Sequence, residues 1–230
     1  MNSIVQNSLF FGVVLTFFAY EIGLIINKKF KLAFFNPLLI ATIFIIGILL
    51  LFDIEYETYN QGAKYISYFL TPATVSLAIP LYRQLELLKK HPVAIMGGIL
   101  AGVLTALLSI FALSLLFGLN HEQYVTLLPK SITTAIGMGV SEKMGGLVAL
   151  TVVAISVTGI TGNVMARFVL KMVKINDPIA QGLAIGTSAH ALGTTKAMEI
   201  GQVQGAMSSL AIVVAGVLTV AFAGIFANFI

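Results

Sequence analysis

Three groups of polar side chains interrupt otherwise apolar stretches of this sequence. The first is Thr74 and Ser76, enclosed by Pro72 and Pro80 in Tyr68–Tyr82 (YFLTPATVSLAIPLY). The second is Thr187, Ser188, His190, Thr194, Thr195 and Lys196 in Gly182–Lys196 (GLAIGTSAHALGTTK), punctuated by Gly186 and Gly193. The third is Lys130, Ser131, Thr133, Thr134 and Glu142 in Leu128–Gly146 (LPKSITTAIGMGVSEKMGG). Hydroxyl, ammonium and imidazole groups are hydrogen-bond donors. With the unpaired N–H groups and partial positive charge of interrupted helix ends, they suit an anion. His190 can gain and lose a proton near neutrality, and Glu142 is a carboxylate candidate for the same coupling role. A structural reading stands beside each functional one. The hydroxyls can bond their own backbone in kinked helices, His190 can be a packed histidine, Lys130 and Glu142 can pair or snorkel to an interface, and Lys196 can pair with Glu199 three residues on.

Catalysis is not expected. The chain has no cysteine, so no cysteine-ligated metal and no disulfide framework. GTSAHALG lacks the strand–turn–helix setting of a nucleophile elbow, and no phosphate loop or metal cluster stands out. The reading is of a binding or transfer site with no metal and no cofactor.

The elements that must hold these residues are membrane helices. Of the 230 residues, 58% are hydrophobic and 10% charged, with a mean hydropathy of +1.00. A soluble protein covers itself with about 25% charged residues. Stretches free of Asp, Glu, Lys and Arg cover 1–20, 32–52, 65–82, 92–120, 144–166, 178–195 and 200–230. Each approaches or exceeds the ~18–20 residues that cross a bilayer as a helix, and the alternation of a barrel is absent. The N-terminus lacks the basic region of a signal peptide. The net charge of +4 resides in short loops and does not point to nucleic acid. The expected class is an all-α polytopic membrane protein, a single integral domain over 1–230 with about seven spans and one re-entrant segment.

Loop charge sets an expected orientation. Lys28, Lys29 and Lys31; Arg83, Lys89 and Lys90; and Arg167, Lys171 and Lys174 form three basic loops, whereas Asp53, Glu55 and Glu57 mark an acidic one. The positive-inside rule places the basic loops in the cytoplasm. Spans at about 4–26 and 35–52, the first interrupted segment running inward, and spans at 92–117 and 146–170 follow, with Lys130–Gly145 dipping in and out. The second interrupted segment then crosses outward and 206–229 returns. This predicts an outer N-terminus and a cytoplasmic C-terminus.

The interrupted segments lie 114 residues apart, and AGVLT at Ala101–Thr105 recurs at Ala215–Thr219 with the same offset. Under the expected topology, halves of about 1–114 and 115–230 are inverted repeats with broken helices at mid-membrane. That arrangement points to a transporter site.

Longer motifs carry a family resemblance across nearly the whole chain: NPLLIA at 36–41, PATVSLAIPLYRQLELL at 72–88, LLPKSITTAI at 127–136, VSEKMGG at 140–146, DPIAQGLAIGTSAHALGTTKAMEIG at 177–201 and GAMSSLAIV at 205–213. The sequence resembles the LrgB/CidB family of antiholin-like and holin-like bacterial membrane proteins. The resemblance implies a cytoplasmic-membrane location, a small LrgA/CidA-type membrane partner, homo-oligomerisation, and a link to murein hydrolase control, cytolysis and programmed cell death. Similar plastidal proteins translocate glycolate and glycerate, which implies a small carboxylate such as pyruvate or glycolate as cargo. Family members often carry a proline and a glutamate near positions 135 and 139. Here Ala135 and Gly139 stand there, which leaves Glu142 as the carboxylate of that motif.

Overall fold

The computed structural model describes residues 8, 10–30, 35, 37–69, 72, 75, 76, 79, 82 and 85–230. Every regular element among the described residues is a helix. The chain divides into two compact units, Met1–Ser76 and Leu77–Ile230.

The first unit holds α1 (Phe11–Phe30), α2 (Pro37–Leu51) and α3 (Tyr56–Ser67). Pro37 opens α2, as the Asn36-Pro37 pair predicts, because its missing N–H costs nothing in the first helical turn. Gly23 lets α1 approach the Pro37 backbone, and the Phe18 and Phe44 rings meet 6.2 Å apart. The acidic stretch expected to be a plain loop contains α3 instead. Its Tyr59 hydroxyl lies 2.8 Å from Thr16 Oγ1, and its backbone passes over Gly12. A side-chain bond and a close backbone approach dock a polar helix that loop charge alone could not reveal.

The second unit holds α4 (Leu85–Lys90), α5 (Pro92–Phe117), α6 (His121–Leu127), α7 (Thr134–Lys143), α8 (Val148–Met172), α9 (Pro178–Ile200) and α10 (Gln202–Phe226), ending in a 3-10 turn. α1, α5, α8 and the stretch Gln202–Phe229 are long and apolar enough to cross a membrane, and α2 is a shorter apolar helix. α5 buries Ile95, Ile99, Val103, Leu107 and Ile110, a stripe three to four residues apart, against Leu183, Met207, Leu210 and Ala211. Its other faces are exposed and apolar, as lipid requires.

α9 is not one rod. His190 has φ 42° and ψ −137°, and helical arms run on either side of it, over 178–189 and 191–200. On α10, Gly182 lies against Gln204 and Met207, and Gly186 against Ser208 and Ala211. The first arm therefore runs in the same sense as α10. Beyond the reversal, Thr194 Oγ1 meets Ser208 Oγ at 2.7 Å and Gly205 lies against Met198, so the second arm runs opposite to it. Gly193 of the second arm also packs on Ala189 and Ile185 of the first. The segment is a helical hairpin with His190 at its tip. At about 1.5 Å per residue the arms rise ~18 and ~15 Å, about half of a hydrocarbon core of ~30 Å.

Three expectations change as a result. The second interrupted segment turns back instead of crossing, and it breaks at His190 rather than at Gly186 or Gly193, which lie inside the arms. The C-terminus does not share the end that holds the basic loop: Tyr124 bonds the Phe226 carbonyl and His121 the Ile230 carbonyl, at the far end of α5 and α10. The AGVLT helices also run in the same sense, because Gly98 meets Leu183 and Gly102 meets Thr187 while the same arm runs along α10. α5 and α10 are thus not inverted copies of one another.

α6 and α7 make a second reversal. Thr126 Oγ1 accepts from the Leu147 N–H at 2.8 Å, and Thr151 Oγ1 lies 2.9 Å from the Thr126 carbonyl and 2.7 Å from Ser141 Oγ. The chain leaves Thr126, turns through 128–133, and returns along α7 to the same place. The chain therefore reverses within this stretch.

Replacing Gly186 with Val puts side-chain atoms where a Cβ already lies 2.6 Å from the Ser208 carbonyl. It is expected to destabilise the protein by about 1–3 kcal/mol. Gly47 has nothing within 4 Å, so Gly47→Val is expected to stay within about 0.5 kcal/mol. Thermal unfolding in detergent, followed by the monodisperse fraction, distinguishes the two.

Candidate functional site

The two reversals meet on α8. The His190 ring packs over Gly159, and its Nε2 lies 3.0 Å from the Ile155 carbonyl oxygen. A carbonyl only accepts, so Nε2 carries the hydrogen. Nδ1 has no bonding partner among the described residues. From the opposite end, Gly137 of α7 packs on the Ile155 side chain. Lys130 lies in the turn before α7, and its Nζ donates to Ser131 Oγ at 3.2 Å. Ile155 of α8 thus touches both the histidine tip and α7.

Several local features hold the tip in place. A non-glycine residue at φ 42° with ψ −137° is strained, and such strain persists only where the surroundings impose it. Thr194 Oγ1 donates to the His190 carbonyl at 2.9 Å. Asn163 Nδ2 donates to the Leu192 carbonyl at 2.7 Å and to Thr195 Oγ1 at 3.0 Å. Gly159 and Gly162 let α8 approach the imidazole and Ala189. These contacts satisfy polar groups that a helix break would leave bare in hydrocarbon.

The structure separates the sequence candidates. His190 sits at the tip of one reversal, and Lys130 and Ser131 are hydrogen-bonded to each other in the turn of the other. Thr133 is the N-cap residue of α7 without a side-chain capping bond, and Thr134 is half-buried in the first turn. Thr187 and Ser188 donate to the carbonyls of Leu183 and Ala184, both at about 2.8 Å or less, as kinked-helix hydroxyls do. Thr187 is buried and Ser188 exposed. Thr194 and Thr195 bond the scaffold as described. Lys196 forms an ion pair with Glu199 at 2.6 Å. Glu142 is exposed at the end of α7 and makes no ion pair with Lys130. Ser76 is exposed in a helical conformation, and Thr74 lies outside the described residues.

Sequence reading passed over Asn163, Ile155 and Ser208. Asn163 had a usable signal, since it is the amide within the uncharged stretch 144–166. Ile155 had none, because it contributes through its carbonyl. Ser208 is one of several small residues in an apolar stretch, and only the structure shows that its hydroxyl meets Thr194.

The LrgB-like family matches residues 16–229. The chain is 38% identical over 206 residues to the uncharacterized protein YxaC of Bacillus subtilis (strain 168), covering 90% of each chain. It is likewise 38% identical over 222 residues, 96% of each chain, to proteins named antiholin-like protein LrgB from Bacillus cereus (strain B4264) and Bacillus anthracis (strain CDC 684 / NRRL 3495). No solved structure matches the chain.

The strain at position 190 separates backbone from side-chain roles. His190→Gly relieves the strained dihedrals and loses the Nε2 bond, whereas His190→Ala loses the bond and keeps the strain. Ala is expected to be less stable than Gly by about 1–2 kcal/mol, which the difference in their unfolding midpoints measures.

Proposed function

The chain belongs to the LrgB-like family, and on that premise we propose that it is a carrier of small carboxylates in the cytoplasmic membrane rather than an enzyme. The observation that carries this reading is the meeting of two chain reversals at Ile155, one with His190 at its tip and the other carrying Lys130. In this reading α1, α2, α5, α8 and α10 cross the bilayer, and the first interrupted stretch of the sequence, 68–82, supplies a sixth crossing between α2 and α5. α9 enters as a re-entrant hairpin from one face, and 121–146 enters from the other. Irregular backbone at such depth is tolerated where it is buried or lines a cavity. The basic loops face the cytoplasm, so the N-terminus and the C-terminus both lie outside. The carboxylate sits between Lys130 and His190, with Ser131, Thr133 and Thr134 as further donors. His190 Nδ1 accepts the coupling proton: protonation adds a second positive charge beside the anion, and deprotonation releases it. A small LrgA/CidA-type protein acts alongside.

A second reading is regulatory. Relatives over nearly the full length are named antiholin-like, and a protein of that kind would restrain lysis and murein hydrolase activity through a membrane partner. Nonselective dye leakage from liposomes, or a stable complex with the partner and no flux, would favour it.

Reconstituted protein, with and without the partner, is expected to take up labelled pyruvate or glycolate saturably and with competition by the unlabelled acid. An inward proton gradient should accelerate uptake. Lys130→Gln is expected to lower uptake about tenfold or more through loss of a charged partner. His190→Gln is expected to abolish the response to the gradient. Background uptake across a carboxylate panel, with the partner present, would overturn the carrier reading.

A further inference from the structure

We propose that the cavity between α5 and the first arm of α9 is the aqueous route by which a small anion reaches the hairpin tip from the end of the unit that carries the Arg167–Asp177 loop. The cargo rests on the carrier reading; the route does not. The cavity has a volume of about 470 Å³, with His91 and Asp177 at its mouth and Gly102 and Thr187 at its floor. Thr187 lies three residues before the tip. A single water occupies about 30 Å³ of liquid, so the space holds a small hydrated solute.

The shape follows from the residues. At the floor the two helices are in close contact: a Cβ at Gly102 would lie 2.7 Å from Thr187 Oγ1, and one at Gly98 3.1 Å from Leu183. Toward the mouth the walls carry small residues such as Ala94 and Ala184. The mouth has two titratable side chains, which keep it wet, and His91 makes no capping bond that would tie its imidazole down. Asp177 is engaged with the Ala180 N–H at 2.9 Å. Thr187 stands about one helical turn before His190. The route therefore begins among hydrated groups and ends at Thr187, one turn before the histidine, and its width is set by alanines and glycines.

The chain contains no cysteine, so single cysteines report access directly. The full chain is reconstituted in liposomes bearing Thr187→Cys or Ala184→Cys, both of which line the cavity, with Lys174→Cys marking the side of the basic loop and Val213→Cys, exposed on α10, as the lipid-facing control. A small membrane-impermeant anionic methanethiosulfonate is added to either side. Both cavity cysteines are expected to react from the side that labels Lys174→Cys, at least tenfold faster than Val213→Cys. Adding Ala94→Phe should slow them about tenfold and leave Lys174→Cys unchanged. Cavity cysteines that react no faster than Val213→Cys, or that are indifferent to Ala94→Phe, overturn the route; an acyl chain or a second protein filling the cavity gives that result. Should Ala184→Cys misfold, Thr187→Cys carries the same comparison. Labelling without carboxylate uptake would sink the carrier reading and keep the route, whereas uptake without labelling would do the reverse.

Discussion

The chain reversal at His190 governs how the second unit is built. A helix that turns back among packed helices leaves carbonyl and N–H groups without helical partners, each costing several kcal/mol if buried and left unmet. The neighbours answer that cost group by group. Thr194 bonds the His190 carbonyl, Asn163 bonds the Leu192 carbonyl, and the imidazole bonds the Ile155 carbonyl. A strained non-glycine backbone is tolerable because α8 and α10 hold it from two sides. Removing either helix would leave a tip with unmet polar groups and no reason to keep its conformation.

The same reversal explains where the small residues fall. Two arms and two long helices must share one level, so the backbones approach where side chains are absent: Gly182 and Gly186 against α10, Gly193 against the first arm, Gly159 and Gly162 of α8 against the tip. In a bilayer, apolar burial between helices gains little over contact with lipid, so close van der Waals approach and interhelical hydrogen bonds supply the association. The Thr194–Ser208 bond and the Gln181–Gln204 bond at the hairpin base are of that kind. The glycines therefore serve packing, and the break itself falls on histidine.

Much of the fold was legible in the sequence. Expected spans at 92–117 and 146–170 became α5 at Pro92–Phe117 and α8 at Val148–Met172, because long uncharged stretches leave helices as the economical choice. The dip after His121 was legible from glycines, a proline and charges in one short stretch. The direction of α9 was not. Loop charge fixes a side only where a basic loop exists, and the turn after α9 is Gly201 followed by neutral residues. A crossing and a hairpin then satisfy the same charge count. The break was placed on the glycines because propensity names the residues that permit irregular backbone. Here the surroundings impose it on one that does not favour it. At the site, His190 and Lys130 were legible as ionisable residues in apolar text. Ile155 was not, since a backbone carbonyl has no letter in the sequence.

The loss of an inverted relation between α5 and α10 changes the functional argument. Alternating access needs a site reachable from each side in turn, and inverted repeats are one way to provide two exchangeable conformations. Hairpins that enter from opposite ends and meet at one depth supply another. Under the proposed carrier reading, a tip that moves against α8 must exchange its bonds to Asn163 and Ile155 for others. His190 carries one of those bonds on Nε2 and, in that reading, the coupling proton on Nδ1, so protonation state and tip position would be properties of one side chain. A nonselective pore would need neither the strained tip nor the histidine, and that is the physical ground for preferring a carrier over a pore in this chain.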